Sequence, residues 1–139
     1  MKTFFADTGY WQAILNPQDD LHGRATAVST RLGPMHIVTS EMVLAELLNY
    51  LSGRGSQLRE AAGSAVQAIC RNPNITVVPQ TRDLFRRALD RYVARGDKTW
   101  GLTDCASFLI MEERGISEAL AHDHDFEQAG FVALLRCDP

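Results

Sequence analysis

Short apolar runs alternate with longer amphipathic stretches along the whole chain, and few architectures accommodate that alternation. Thr3 to Ala6 is a brief apolar run that ends at Asp7 and predicts a first strand. A helix is expected from Asp19 to Leu32, capped by Asp19 or Asp20 and stopped by Gly33-Pro34. Met35 to Val38 reads as a second strand. Thr39 or Ser40 then caps a helix that carries Met42, Val43, Leu47, Leu48 and Leu51 and ends at Gly53. Gln57 to Cys70 is a further amphipathic helix, closed by Asn72-Pro73, and Ile75 to Val78 is a β-branched third strand. From Thr81 to Arg95 the apolar residues Leu84, Phe85, Ala88, Leu89, Tyr92 and Val93 recur at helical spacing. Thr103 is expected to cap a helix that runs to Arg114 and stops at Gly115. Ala119 to His122 and Phe131 to Leu135 complete the strands. Strands separated by helices imply a mostly parallel sheet of four to five strands, with helices on both faces.

With 139 residues, no internal repeat and no Pro/Gly-rich linker, the chain is expected to form one domain over residues 1–139. Hydrophobic residues make up 45% and charged residues 22%, enough for a core without disulfides. The three cysteines, Cys70, Cys105 and Cys137, are widely spaced and form no Cys-x-x-Cys pair, so they read as reduced thiols. No apolar run reaches the roughly 20 residues of a membrane span, and Asp7 interrupts the N-terminal one. A soluble, cytoplasmic protein is expected. Its formal net charge of −3 gives no general basic footprint for nucleic acid.

The chemistry concentrates in carboxylates. In open α/β sheets, ligands bind beyond the carboxyl ends of the strands. Asp7 stands at the end of the first strand, Asp123 at the end of the fourth, Asp104 at the start of a helix, and Glu46 in the second turn of a helix that follows a strand. Such a cluster repels itself unless a hard cation such as Mg²⁺ or Mn²⁺ joins it. Singly, each acid also has a structural reading, since acids at helix starts favour the dipole. Glu46, flanked by Val43, Leu47 and Leu48, is expected beside an apolar face and in need of a metal or basic partner.

These residues resemble a known family. Phe4-Phe5-Ala6-Asp7-Thr8 is similar to the opening strand and Asp of PIN domains, including the VapC-type toxins. Thr39-Ser40-Glu41-Met42-Val43-Leu44-Ala45-Glu46 resembles their second motif, and Leu102-Thr103-Asp104-Cys105-Ala106-Ser107 the third. The stretch from Glu118 through Asp123 and Phe126 to Phe131 resembles the last. The chain departs from many relatives at Ala121, where they carry Thr or Ser. The resemblance implies a three-layer α/β/α sandwich that binds Mg²⁺ or Mn²⁺ and cleaves RNA. It assigns Asp7 and Asp104 as main metal ligands, completed by Glu46 and Asp123 directly or through water. The motif favours Glu46 over Glu41. It also implies a homodimer and a small antitoxin protein as partners, and the apolar helices from Glu41 to Arg71 themselves offer a protein interface.

Other residues carry weaker readings. If the strand continues through His122-Asp123-His124-Asp125, the two Asp face one way and the two His the other, which argues against zinc. Asp125 is then a candidate to support the cluster without touching the ion. Thr8 is placed either to bond Asp7 or to contact a ligand. His22 suits a surface or capping role, and Cys105 a buried thiol. Arg87, Arg91 and Arg95 repeat at helical spacing and suit phosphate, but Asp83 and Asp90 offer counter-ions, so a solvated face is preferred. A haloacid-dehalogenase-type phosphatase would need a second Asp where Gly9 stands, and a receiver domain further acids and a Lys. A non-catalytic RNA- or protein-binding module has no use for four clustered acids.

Overall fold

A computed structural model describes residues 1–136, and Cys137 lies outside the described residues. Five strands form one sheet: β1 (Thr3–Ala6), β2 (His36–Ser40), β3 (Ile75–Val78), β4 (Glu118–Leu120) and β5 (Val132–Ala133). Every pairing is parallel, in the order β3-β2-β1-β4-β5. The helices are α1 (Thr8–Leu15), α2 (His22–Leu32), α3 (Glu41–Leu51), α4 (Ser56–Arg71), α5 (Arg82–Ala94), α6 (Leu102–Arg114) and the short α7 (Asp125–Gln128). Right-handed crossovers put helices on opposite faces when the strand order reverses. Accordingly α1 to α4 pack on one another, and α5 and α7 both pack on α6. The result is the expected three-layer α/β/α sandwich.

The reversal falls at β1, which pairs with β2 on one side and β4 on the other. Two devices hold this centre. The Thr39 hydroxyl, fully buried, donates to the Ala6 carbonyl at 2.9 Å and accepts from the Trp11 indole at 3.3 Å. One side chain thus ties α1, β1 and β2 together immediately before Asp7. On the other face, Phe126 lies 6.5 Å from Phe5 and 5.0 Å edge-on from Phe108, and Trp100 meets Phe108 at 5.0 Å. These rings fasten α6 and α7 to β1.

Several boundaries differ from expectation. No helix was predicted from Thr8 to Leu15, because no turn residues separate it from β1. Yet α1 starts immediately, with Asp7 as its cap residue. The α2 helix begins at His22: Asp19 instead takes the Leu21 N–H at 2.9 Å in the turn before it. Gly101, not Thr103, precedes α6. The β4 strand stops at Leu120, and β5 covers only Val132–Ala133 before Leu134–Arg136 turns into a 3₁₀ helix.

Thr39→Val keeps the shape but removes both hydrogen bonds and strands the Trp11 N–H. Urea denaturation should show a loss of about 1–3 kcal/mol.

Candidate functional site

Asp7 emerges from β1 at the reversal point, and its backbone N–H donates to the Leu120 carbonyl of β4 at 3.1 Å. It is only 8% exposed. Glu46 sits on α3, whose start is capped when the Ser40 hydroxyl accepts the Val43 N–H at 3.1 Å. Glu46 is exposed rather than set against an apolar face. The Thr8 hydroxyl donates to Glu46 Oε1 at 2.7 Å, and not to the Asp7 side chain that the sequence offered as one of its two partners. Asp104 lies in the first turn of α6, where its Oδ2 accepts the Gly101 N–H at 3.1 Å. Asp123 follows β4, with its Oδ1 accepting the Asp125 N–H at 3.0 Å. All four acids line one cleft of about 340 Å³, together with Thr8, Gln12 and His122, and among the described residues no Lys or Arg lines it.

Crowding of acids shows in their proton affinities. The Asp7 carboxyl is pushed up to about 8, first by burial and then by the charges of Asp104, Glu46 and Asp123. The Thr8 backbone N–H opposes this only in part. Asp104 is raised to about 6, again mainly by burial, with the Gly101 N–H pulling the other way and Asp123, Asp125 and Glu46 adding repulsion. An all-oxygen donor set without a basic neighbour fits a hard divalent cation. Among the described residues, no three of these four acids bring ligand atoms within 4.8 Å of one another. The spacing suits an ion that keeps several of its waters, as Mg²⁺ does.

The remaining candidates fall elsewhere. Glu41 takes the Gln80 N–H at 2.7 Å and does not line the cleft. The His22 Nδ1 pairs with the Ala13 carbonyl at 2.7 Å, and Cys105 is buried. Three arginines in or just past α5 are paired: Arg87 with Asp83 and Glu113, Arg91 with Glu112 through two bonds of 3.0 and 2.8 Å, and Arg95 with Asp97. That is the preferred reading, with Glu112 and Glu113 of α6 as partners the sequence did not suggest. Strand geometry does not continue through His122 to Asp125: β4 has ended, and Asp125 opens α7. The argument from alternating faces therefore fails there. Gln12 and His122 were missed as cleft residues. Gln12 follows Thr8 by one helical turn, a signal available only once α1 is recognised.

A parallel sheet with an acidic cleft at its reversal point defines a class of α/β proteins with a carboxylate centre. Within that class, the chain matches the PIN domain over residues 4–132, and it belongs to the PIN-domain family. It is 32% identical over 130 residues to the 23S rRNA-specific endonuclease VapC20 of Mycobacterium tuberculosis, spanning 94% of this chain and 96% of that protein. The crystal structure of M. tuberculosis VapC20, described as a Sarcin-Ricin loop cleaving toxin, superposes with a TM-score of 0.83 at 33% identity, covering 93% of this chain and 96% of that one. FitAcB from Neisseria gonorrhoeae shares the fold, with a TM-score of 0.64 at 15% identity over 94% of both chains.

Burial of Asp7 and Asp104 makes a pH prediction for the cation-free protein. An acid whose folded pKa is raised contributes stability below its ordinary pKa near 3.8 and loses it as pH climbs through the folded value. In EDTA, Asp7→Asn should match wild type near pH 4. It should become the more stable protein, by about 1–3 kcal/mol, as pH rises to 8 and Asp7 is forced to ionise. Melting curves across that range check the crossover.

Proposed function

We propose that this chain is a Mg²⁺- or Mn²⁺-dependent endoribonuclease, the toxin of a toxin–antitoxin pair. The observation that carries the reading is a cleft with four carboxylates and no cation of its own, in which Asp7 is too buried to hold its charge unaided. Asp7 and Asp104 are the principal ligands, and Glu46 and Asp123 complete the set directly or through water. A bound divalent ion supplies a water of lowered pKa and offsets charge on the attacked phosphate. A bound cation would favour the ionised form of Asp7 that burial disfavours. Thr8 fixes the rotamer of Glu46, the Gly101 N–H that of Asp104, and the Asp125 N–H that of Asp123.

RNA is the substrate class. The M. tuberculosis relative, a 23S rRNA-specific endonuclease whose crystal structure is described as that of a Sarcin-Ricin loop cleaving toxin, supports a structured loop of 23S rRNA as the target. Loops also expose phosphates and bases that a duplex withholds. We assign the protein to the cytoplasm, where such RNA resides; none of its described helices is long and apolar enough to cross a membrane.

A protein partner is supported by the surface of α5. Phe85, Leu89, Tyr92 and Val93 are exposed along one face, Val93 by 71%. A patch of that kind is commonly a contact surface. It is larger than the Leu48 and Tyr50 exposure on α3, where the interface was expected. We assign it to a second copy of the chain, with the antitoxin as a further partner. Light scattering should give twice the chain mass, and Leu89→Asp with Val93→Asp should return it to a monomer.

Ribosomal RNA incubated with the protein and Mg²⁺ or Mn²⁺ should be cut, and EDTA should stop the reaction. Asp7→Asn should lower the rate at least about a hundredfold while the circular dichroism spectrum is retained, because removal of a principal ligand costs several kcal/mol of charge stabilisation. Mapping the new RNA ends gives the site of cleavage. Equal cleavage by wild type and a variant purified in parallel would leave the binding-module reading in its place.

A further inference from the structure

Beside the acidic cleft lies a smaller pocket of about 240 Å³ that the proposed chemistry does not use. Glu46 and Thr103 line both, so the two adjoin. The floor of the pocket is one face of α3. Ala45, Glu46 and Asn49 follow Met42 by three, four and seven positions, which sets all four on a single stripe of the helix. Gln80 closes the pocket from the segment just past β3, and Thr103 from the first turn of α6. Ligands of open α/β sheets gather beyond the carboxyl ends of the strands, and this pocket stands there at β3 as the cleft does at β1 and β4. Its chemistry differs from that of the cleft. Met42 is buried and offers a polarizable apolar wall of the kind that packs well on a flat ring. Asn49 and Gln80 are exposed. The Asn49 carbonyl takes the Ser52 hydroxyl at 2.7 Å, and the Gln80 backbone N–H donates to Glu41 Oε1 at 2.7 Å. Those bonds use the backbone of both residues and leave their side-chain amides without a partner among the described residues.

We propose that this pocket binds one unpaired nucleobase of the RNA, adenine by preference, next to the phosphate that is cut. The proposal rests on the nuclease reading above and deepens it by naming what selects the position of the cut. Each amide carries a donor and an acceptor side by side, the pattern that matches the N6 donor and N7 acceptor of adenine. Bases turned out of the stack in single-stranded RNA are read by such edge contacts. Met42 packs against the ring. Glu41 is a positioning residue, because its hold on the Gln80 N–H fixes the point from which the Gln80 amide reaches the base.

Two measurements test this. In the first, NMR follows the side-chain amides of Asn49 and Gln80 in EDTA during titration with adenosine and with uridine, neutral probes that the acidic cleft does not repel. Both amide signals should shift, at about tenfold lower concentration of adenosine than of uridine. In the second, otherwise identical short RNAs carry each base in turn at the positions flanking the cut, in Mn²⁺. Wild type should favour adenine at one of these positions by about tenfold in kcat/KM. Asn49→Leu with Gln80→Met keeps the bulk of both side chains and removes both amides, and should level that preference. Both residues are exposed, and the titration of wild type reads the pocket even if the double variant does not fold. Amide signals that stay still with adenosine, no base preference in wild type, or a preference that survives the double variant overturns the pocket, while cleavage itself upholds the nuclease reading. If no RNA is cut but the amides respond to adenosine, the nuclease reading falls and the pocket stands as a nucleoside site. If neither occurs, both fall.

Discussion

Mutual repulsion among Asp7, Glu46, Asp104 and Asp123 is the constraint on which the rest of the structure depends. Left to themselves these groups would separate. The sheet prevents this by delivering Asp7 and Asp123 from adjacent parallel strands and Asp104 from the helix packed beside them. Burial first, and then the neighbouring charges, raise the proton affinities of Asp7 and Asp104 in that arrangement. A fold chosen for stability alone would place other residues there, since cation-free carboxylates at a buried edge only destabilise.

Two opposed packing devices carry the load. On one face the Thr39 hydroxyl joins Trp11 of α1 to the last carbonyl of β1. On the other, Phe5, Phe126, Phe108 and Trp100 form a chain of ring contacts that ends where the Trp100 indole donates to Gln128 at 3.2 Å. Asp104 and Asp123 sit on the segments those rings immobilise. The acids are therefore held by apolar and neutral contacts around them, and among the described residues no Lys or Arg pairs with them from within.

The sequence was most legible where period and punctuation agreed. The strand Ile75–Val78 and the helix after Thr81 came out as read, because a β-branched run and a Thr cap mark them clearly. The four acids were legible because each stands just past a strand or inside a helix start. Legibility failed where an element begins without a turn. The Asp7-to-Thr8 junction passes from strand to helix in one step, so α1 and its Gln12 were invisible. It failed again at His122 to Asp125, where periodicity over so short a run cannot tell a continuing strand from a turn into a four-residue helix. The partner of Glu46 was beyond reach for a different reason. Thr8 is 38 positions away, and no local pattern reports a contact across that distance.

The arginine ladder between α5 and α6 bears on how the protein meets its substrate. Arg87, Arg91 and Arg95 are each engaged by an acid, so their charges are offset locally. A chain of net charge −3 then approaches a polyanion against its own long-range field. A field of that sign slows the approach of any polyanion, and added salt, by screening the repulsion, would hasten the encounter instead of slowing it.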